Sequence, residues 1–230
     1  MQVRLIATTT PQALPELSEI KRTLTPEDLI IYCARVSSPQ NQPNLDTGER
    51  LLRYCIRNRH WSIFETASMT VEITTSVAVS HQIVRHRSFT FQQFSQRYAQ
   101  AAEYEHPQFR LKGSTNRQGS VDEVLKDGAL DQDARLLIDT AFETYNRMVS
   151  AGVAPECARM VLPQCTQTRL YMTGSCRSWI HYLQIRLDAH AQKEHREVAN
   201  GIRAIFAEVF PMTYAACLDQ DNAAPKEIGS

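Results

Sequence analysis

The stretch Arg85-His86-Arg87-Ser88-Phe89-Thr90-Phe91-Gln92-Gln93-Phe94-Ser95-Gln96-Arg97-Tyr98 sets guanidiniums, an imidazole, amides and hydroxyls among the aromatic rings of Phe89, Phe91, Phe94 and Tyr98. The rings favour burial and the cations favour a partner, so the segment reads as polar heads over an apolar floor, the make-up of a binding cleft. Arginine donates through a fixed fork and keeps its charge, which suits phosphate or a planar, partly anionic oxygen system. A nucleotide offers both.

The flanking sequence says how this stretch is presented. Met69, Val71 and Ile73 alternate with polar residues and predict a strand. Ser76 then caps a short helix with Val77, Val79, Ile83 and Val84 on its apolar side, which delivers Arg85, His86 and Arg87 at its end. Phe89 and Phe91 alternate again, so the segment spans a helix end, a turn and the start of another strand.

Further toward the N-terminus, Val3, Leu5 and Ala7 predict an opening strand that ends near Pro11. Thr25 caps a helix with Pro26 at its first position and acids on its positive end. Residues 37–43 are a loop, and Asp46 or Thr47 starts a second helix that stops around His60. Residues 103–120 hold Pro107, Gly113 and Gly119 and read as a long surface loop.

The second half reads as mostly helical. Residues 131–150 carry Leu136, Leu137, Ala141, Tyr145 and Met148 at helical spacing, with Gly152 placed to end the helix. Pro155 opens a short helix that contains Arg159 and stops before Pro163; residues 168–173 are a strand. Ser175 caps a helix to Arg186, and Asp188 caps a long one whose stripe is Ala191, Val198, Ile202, Ile205 and Val209. Pro211 closes it, and the polar tail after 219 is expected to fray.

A chain of 230 residues with no internal repeat or linker is expected to be one domain, 1–230, with a core that needs no disulfide or metal. The 25 basic and 25 acidic residues cancel, so no global field recruits a nucleic acid polymer or an anionic membrane. Cys33, Cys55, Cys157, Cys165, Cys176 and Cys217 form no C-x-x-C pair and read as reduced, mostly buried thiols. With no signal-like start and no apolar run of membrane length, the chain is expected to be soluble and cytoplasmic.

The site chemistry leaves alternatives. Ser95 has no nucleophile elbow around it and reads as a hydroxyl that hydrogen-bonds a ligand. His190 and Glu194 stand four apart, which invites a metal-dependent hydrolase, but H-E-x-x-H is absent and no third ligand is indicated, so no metal is expected. A binding module for nucleotides or RNA without chemistry is the other rival. With eight glycines, no P-loop and no G-x-G-x-x-G, phosphate binding falls to side-chain guanidiniums.

Several separated pieces resemble, in order, the flavin-dependent thymidylate synthases (ThyX). Arg85-His86-Arg87 followed by seven residues and Ser95 resembles the family signature. His60-Trp61-Ser62-Ile63-Phe64-Glu65 is similar to its early H-x-(S/T)-x-F-E element, and Arg159-Met160-Val161-Leu162-Pro163 to its R-x-V-L-P. Ser175-Cys176-Arg177 with His181 matches a flavin-contacting segment, and Arg186-x-Asp188-x-His190-Ala191-Gln192 an R-x-D-x-H-A-Q run.

This resemblance implies an α+β fold, a twisted and mainly antiparallel sheet flanked by helices, with a helical C-terminal half. It implies reductive methylation of dUMP to dTMP, with 5,10-methylenetetrahydrofolate as carbon donor and NADPH reducing FAD. The dUMP site would comprise Gln82, Arg85, Gln93, Phe94, Ser95, Gln96, Arg97, Arg159 and Arg186. The FAD site would comprise His60, Ser62, Arg85, His86, Arg87, Gln93, Ser175, Cys176, Arg177, His181 and His190. Arg186 would be catalytic, activating the uracil ring without an enzyme nucleophile, in a homotetramer whose sites are shared between subunits. Many members have Glu at the position of Gln93 and Asn at that of His181; an amide at 93 exchanges hydrogen bonds but supplies no charge. On this reading Arg97, Arg159 and Arg186 converge on one hollow.

Overall fold

The computed structural model describes residues 1–12, 14, 17–100, 103–114 and 119–218; the tail expected to fray lies outside them. Its centre is a four-stranded antiparallel sheet in the order β1 (Gln2–Thr8), β2 (Ser68–Ser76), β6 (Gln167–Ser175), β3 (Thr90–Gln93). The two long inner strands, β2 and β6, pair along their whole length, from Ser68 against Ser175 to Ser76 against Gln167. Met69, Val71 and Ile73 are buried together, as their alternation predicts.

The helices begin where short polar side chains can cap them. At α1 (Pro26–Ala34) Thr25 and Asp28 form a reciprocal capping box. Ser76 caps α3 (Val77–Ile83), and Ser175 caps α6 (Cys176–Arg186) by accepting from Ser178 N–H. Thus β2 runs into α3 and β6 into α6 without a loop, each strand ending on the serine that starts its helix. The helix α2 is Gly48–Arg57, three residues short of the expected stop at His60. Gly174 on β6 has Phe89 against its open face: a Cβ there would meet the ring at 2.4 Å. The missing side chain seats the signature turn on the sheet.

Several expectations change. Residues 103–120 are not all loop, because β4 (Arg110–Lys112) pairs with β5 (Ser120–Val124) as a hairpin. The helix α4 is Gly128–Ser150, capped by Asp127, and it buries Ile138, Phe142 and Tyr145. Leu136 and Leu137, expected in the stripe, are 66% and 71% exposed. Both rows have helical spacing; Tyr104 chooses between them by packing its ring 5.2 Å from that of Phe142. The short α5 (Pro155–Ala158) leads into a 3-10 turn, Arg159–Val161.

After α6, Asp188 does not cap the last long helix. Its carboxylate accepts from His190 N–H, and α7 runs over Lys193–Val209 with Gln192 at its cap position. Ala191 therefore lies outside the helix, and the buried face of α7 is His195, Val198, Ala199, Ile202 and Phe206. Pro211 ends α7 and also starts α8 (Pro211–Cys217), where the buried Glu27 carboxylate accepts from Met212 N–H and Thr213 N–H. Of the six free cysteines only Cys55 and Cys176 are buried, fewer than expected, and Cys157 is exposed. No described helix is long and apolar enough to cross a membrane.

Candidate active site

The aromatic floor expected beneath the signature is real at its start and absent at its end. Phe89 is buried, edge-on to Trp179 at 4.6 Å and to Tyr182 at 6.0 Å between ring centroids, and Phe91 and Phe94 are half-buried. Tyr98 is 85% exposed, with the Arg97 guanidinium over its ring at 5.9 Å. Beyond β3 the chain leaves the sheet, so no layer remains to cover that ring.

Arg186 ends α6, half-buried, and its Nε donates to His86 Nε2 at 2.9 Å. An imidazole nitrogen accepts only through its lone pair, so His86 is neutral here, protonated on Nδ1. Burial, then the nearby Arg186 charge, lowers His86 from the usual 6.5 to about 4. Its ring stands edge-on to Tyr182 at 4.9 Å. Among the described residues no carboxylate pairs with Arg186.

Behind this pair lies a polar chain, buried at Tyr182 and His195 and reaching the surface at Gln192. Tyr182 OH and His195 Nε2 are 3.1 Å apart, and His195 Nδ1 and Gln82 Oε1 3.3 Å. Gln82 donates to Gln192, Gln192 donates to Glu194 at 2.8 Å, and Arg110 grips both Glu194 oxygens. Burial pushes the Glu194 carboxyl up, but the bonds from Arg110 and Gln192 prevail and hold it at about 2. Burial and the neighbouring cation lower His195 to about 3. Sequence reading weighed Glu194 only as a metal ligand and did not place His195, Tyr182 or Arg110 in the site; a histidine among the apolar positions of α7 was the available signal. With Glu194 engaged by Arg110 and His190 outside α7, the shared helical face of the metal alternative does not exist.

The other expected nucleotide contacts lie nearby in sequence but fall into two groups. Gln93 donates from one amide nitrogen to Ser80 Oγ and Thr168 Oγ1, leaving no acidic group there. Ser95 Oγ accepts from Arg97 N–H, Phe94 lines a cavity of about 280 Å³ with Thr168 and Arg169, and Gln96 is half-buried. Arg97 pairs with Glu156 on α5 at 3.1 Å, which brings its loop to the segment that carries Arg159. None of the four cavities described here is lined by Arg97, Arg159 or Arg186. Arg97 follows the edge strand β3, and Arg186 ends the helix launched from its inner neighbour β6.

The residues expected at the flavin meet more closely. A cavity of about 380 Å³ is lined by Trp61, Glu65, Ser88, Arg177, His181 and their neighbours, joining three of the separated motifs. Glu65 ties two of them, accepting from Ser175 Oγ at 2.7 Å and from Arg177 at 3.0 Å. His60 and Ser62 are exposed at the adjoining 3-10 turn, Trp61–Glu65. Arg85 and Arg87 are exposed and have no ion-pair partner among the described residues, as a phosphate-bearing cofactor requires.

Three expected flavin contacts are placed differently. Cys176 is 0% exposed, with its N–H on Ala67 O, and burial pushes its thiol well up, so it offers a ligand nothing in this chain. Ser175 spends its hydroxyl on Glu65 and on the cap of α6. His190 is exposed, bonded to Asp188 at 2.7 Å, and lines a separate cavity of about 830 Å³ with Arg110, Lys112, Lys193 and Arg196.

Comparison with known proteins agrees with the motif order. Residues 20–212 match the family model described as "Thymidylate synthase complementing protein". A flavin-dependent thymidylate synthase of Synechocystis sp. is 47% identical over 95% of this chain and 100% of its own length. A probable flavin-dependent thymidylate synthase of Paramecium bursaria Chlorella virus 1 is 45% identical over 95% of this chain and 99% of its own. Among solved structures, the UMP/dUMP methylase PolB from Streptomyces cacaoi, bound with 5-Br dUMP, superposes with a TM-score of 0.79 at 26% identity, covering 97% of each chain. With the α+β architecture, the antiparallel sheet and these matches in agreement, the chain belongs to the family of flavin-dependent thymidylate synthases, ThyX.

Proposed function

We propose that this protein converts dUMP to dTMP, taking the one-carbon unit from 5,10-methylenetetrahydrofolate and the reducing equivalents from NADPH through FAD. The observation that carries the reading is the mounting of Arg186: Nε anchored on a neutral histidine, with no carboxylate partner among the described residues. A guanidinium so held against the O2/N3 edge of uracil favours the anionic ring and pushes electron density to C5. C5 then bonds to the methylene carbon without an enzyme thiolate, the C5 proton is released to solvent, and tetrahydrofolate leaves as its bond to that carbon breaks. FAD, when bound, supplies the hydride that completes the methyl group.

The remaining residues bind and orient. Arg97 and Arg159 would hold the nucleotide phosphate, with Gln82, Gln93, Phe94, Ser95 and Gln96 around the base and sugar. Arg85 and Arg87, exposed and without an ion-pair partner among the described residues, would bridge nucleotide and cofactor. His60, Ser62, Arg177 and His181 would flank the flavin, in or beside the cavity that joins their motifs. The exposed Arg85, Arg87 and Arg97 suit a site completed by neighbouring subunits, in a cytoplasmic homotetramer whose chains each form one catalytic domain.

The test is the visible spectrum of purified protein reconstituted with FAD, with tritium release from [5-³H]dUMP in the presence of methylenetetrahydrofolate. A flavin band that shifts on adding dUMP, together with folate-dependent release, supports the proposal. Protein that stays colourless after FAD addition refutes it and favours the binding-module alternative. Because PolB is described as acting on UMP as well as dUMP, UMP belongs in the same assay.

A further inference from the structure

We propose that Glu194 is a positioning residue: through Gln192 it dictates which way the Gln82 amide faces, and so where α3 presents a donor and where an acceptor to the nucleotide. The inference rests on the reading that Gln82 touches dUMP. It follows from donor and acceptor bookkeeping along the chain, which is buried at Tyr182 and His195 and open to solvent at Gln192. Held by both Arg110 nitrogens, the Glu194 carboxylate can only accept. Gln192 must therefore turn its NH₂ to Glu194 and its oxygen to Gln82. Gln82 in turn must give its NH₂ to Gln192, which leaves its oxygen facing His195.

An amide oxygen cannot donate, so His195 Nδ1 carries the proton and Nε2 is left as a lone pair. Tyr182 must then donate its hydroxyl hydrogen to Nε2. Every group in the series has one permitted role, and the carboxylate at its end decides all of them. A neutral imidazole in water prefers its proton on Nε2, so the opposite tautomer at His195 is a specific mark of this polarity. Its complete burial, with a lowered pKa that keeps it neutral near pH 7, supports the assignment.

Gln82 retains one N–H and one lone pair beyond these bonds, and their placement is preset before substrate arrives. With Glu194→Gln, position 194 could donate as well as accept. The chain could then run in either direction, and Gln82 would sample both amide orientations.

Two measurements test this. In ¹⁵N-histidine-labelled protein, with the His195 signal assigned by its loss in His195→Asn, the parent is expected to show the Nδ1–H tautomer without substrate. Finding the proton on Nε2 overturns the proposal even if no variant folds. In Glu194→Gln the tautomers are expected to mix and KM for dUMP to rise about tenfold, with kcat within threefold and the flavin spectrum kept. Gln192→Met, which cuts the chain but leaves the Arg110–Glu194 pair, is expected to behave alike. A KM for dUMP within twofold of the parent in both variants overturns the link to the nucleotide. Failure of the dTMP-synthesis reading shows separately, as a parent with no dUMP-dependent turnover.

Discussion

Arg186→Ala is the substitution that strikes the proposed chemistry most directly. Among the described residues Arg186 is attached by the 2.9 Å bond from Nε to His86 Nε2 and has no carboxylate to dilute its charge. Losing one preorganised donor of this kind lowers turnover on the order of 10² to 10³, or about 3 to 4 kcal/mol of transition-state stabilisation. Arg186→Lys keeps the charge but loses both the fork and the contact with His86, so it should recover only part of the loss. Steady-state tritium release from [5-³H]dUMP measures this, with dUMP affinity followed separately through the flavin spectrum. The same change removes one of the two main causes that depress His86, so its pKa should rise from about 4 while burial keeps it below 6.5. Turnover in Arg186→Ala within threefold of the parent would refute the assignment.

Acid should destabilise the protein through its buried histidines. A folded pKa depressed below the unfolded 6.5 contributes stability that is fully present above pH 6.5 and lost as pH falls toward the folded value. For His195, at about 3, scanning calorimetry at pH 7 and 4.5 should show a loss on the order of 2 to 3 kcal/mol in the parent, and a smaller loss in His195→Gln. Equal pH dependence in the two proteins would contradict the buried neutral imidazole. Gly174→Ala places a Cβ 2.4 Å from the Phe89 ring, and overpacking of this kind costs roughly 1 to 3 kcal/mol. Its melting temperature should fall by several degrees, and an unchanged value would show that the ring does not sit there. Tyr182→Phe leaves His195 Nε2 without its donor and should cost about 1 to 3 kcal/mol in urea unfolding, with flavin binding retained.

How far the sequence could be read followed from the range of each signal. Thr25, Ser76 and Ser175 are legible caps because each bonds an N–H two or three residues ahead, which neighbours alone decide. Asp188 carried the same signal and misled, since its carboxylate closes on His190 before α7 begins. On α4 two rows of apolar residues were equally helical. The choice of Ile138, Phe142 and Tyr145 over Leu136 and Leu137 depended on Tyr104, from a distant segment. At the site, the spacing of the motifs was enough to place the resemblance, but not to pair Glu65 with Arg177 or Arg186 with His86.

By itself the chain determined which residue types were available and where strands would turn into helices, because alternation, caps and proline act over a few residues. It also carried the family, because the order of separated motifs is a property of the string. Tertiary structure alone decided that Cys176 is sealed in the core, that Tyr98 is exposed, and that Glu194 stands at the head of a directed hydrogen-bond chain. Those outcomes depend on which groups from remote segments come within about 3 Å, a distance that no local pattern encodes.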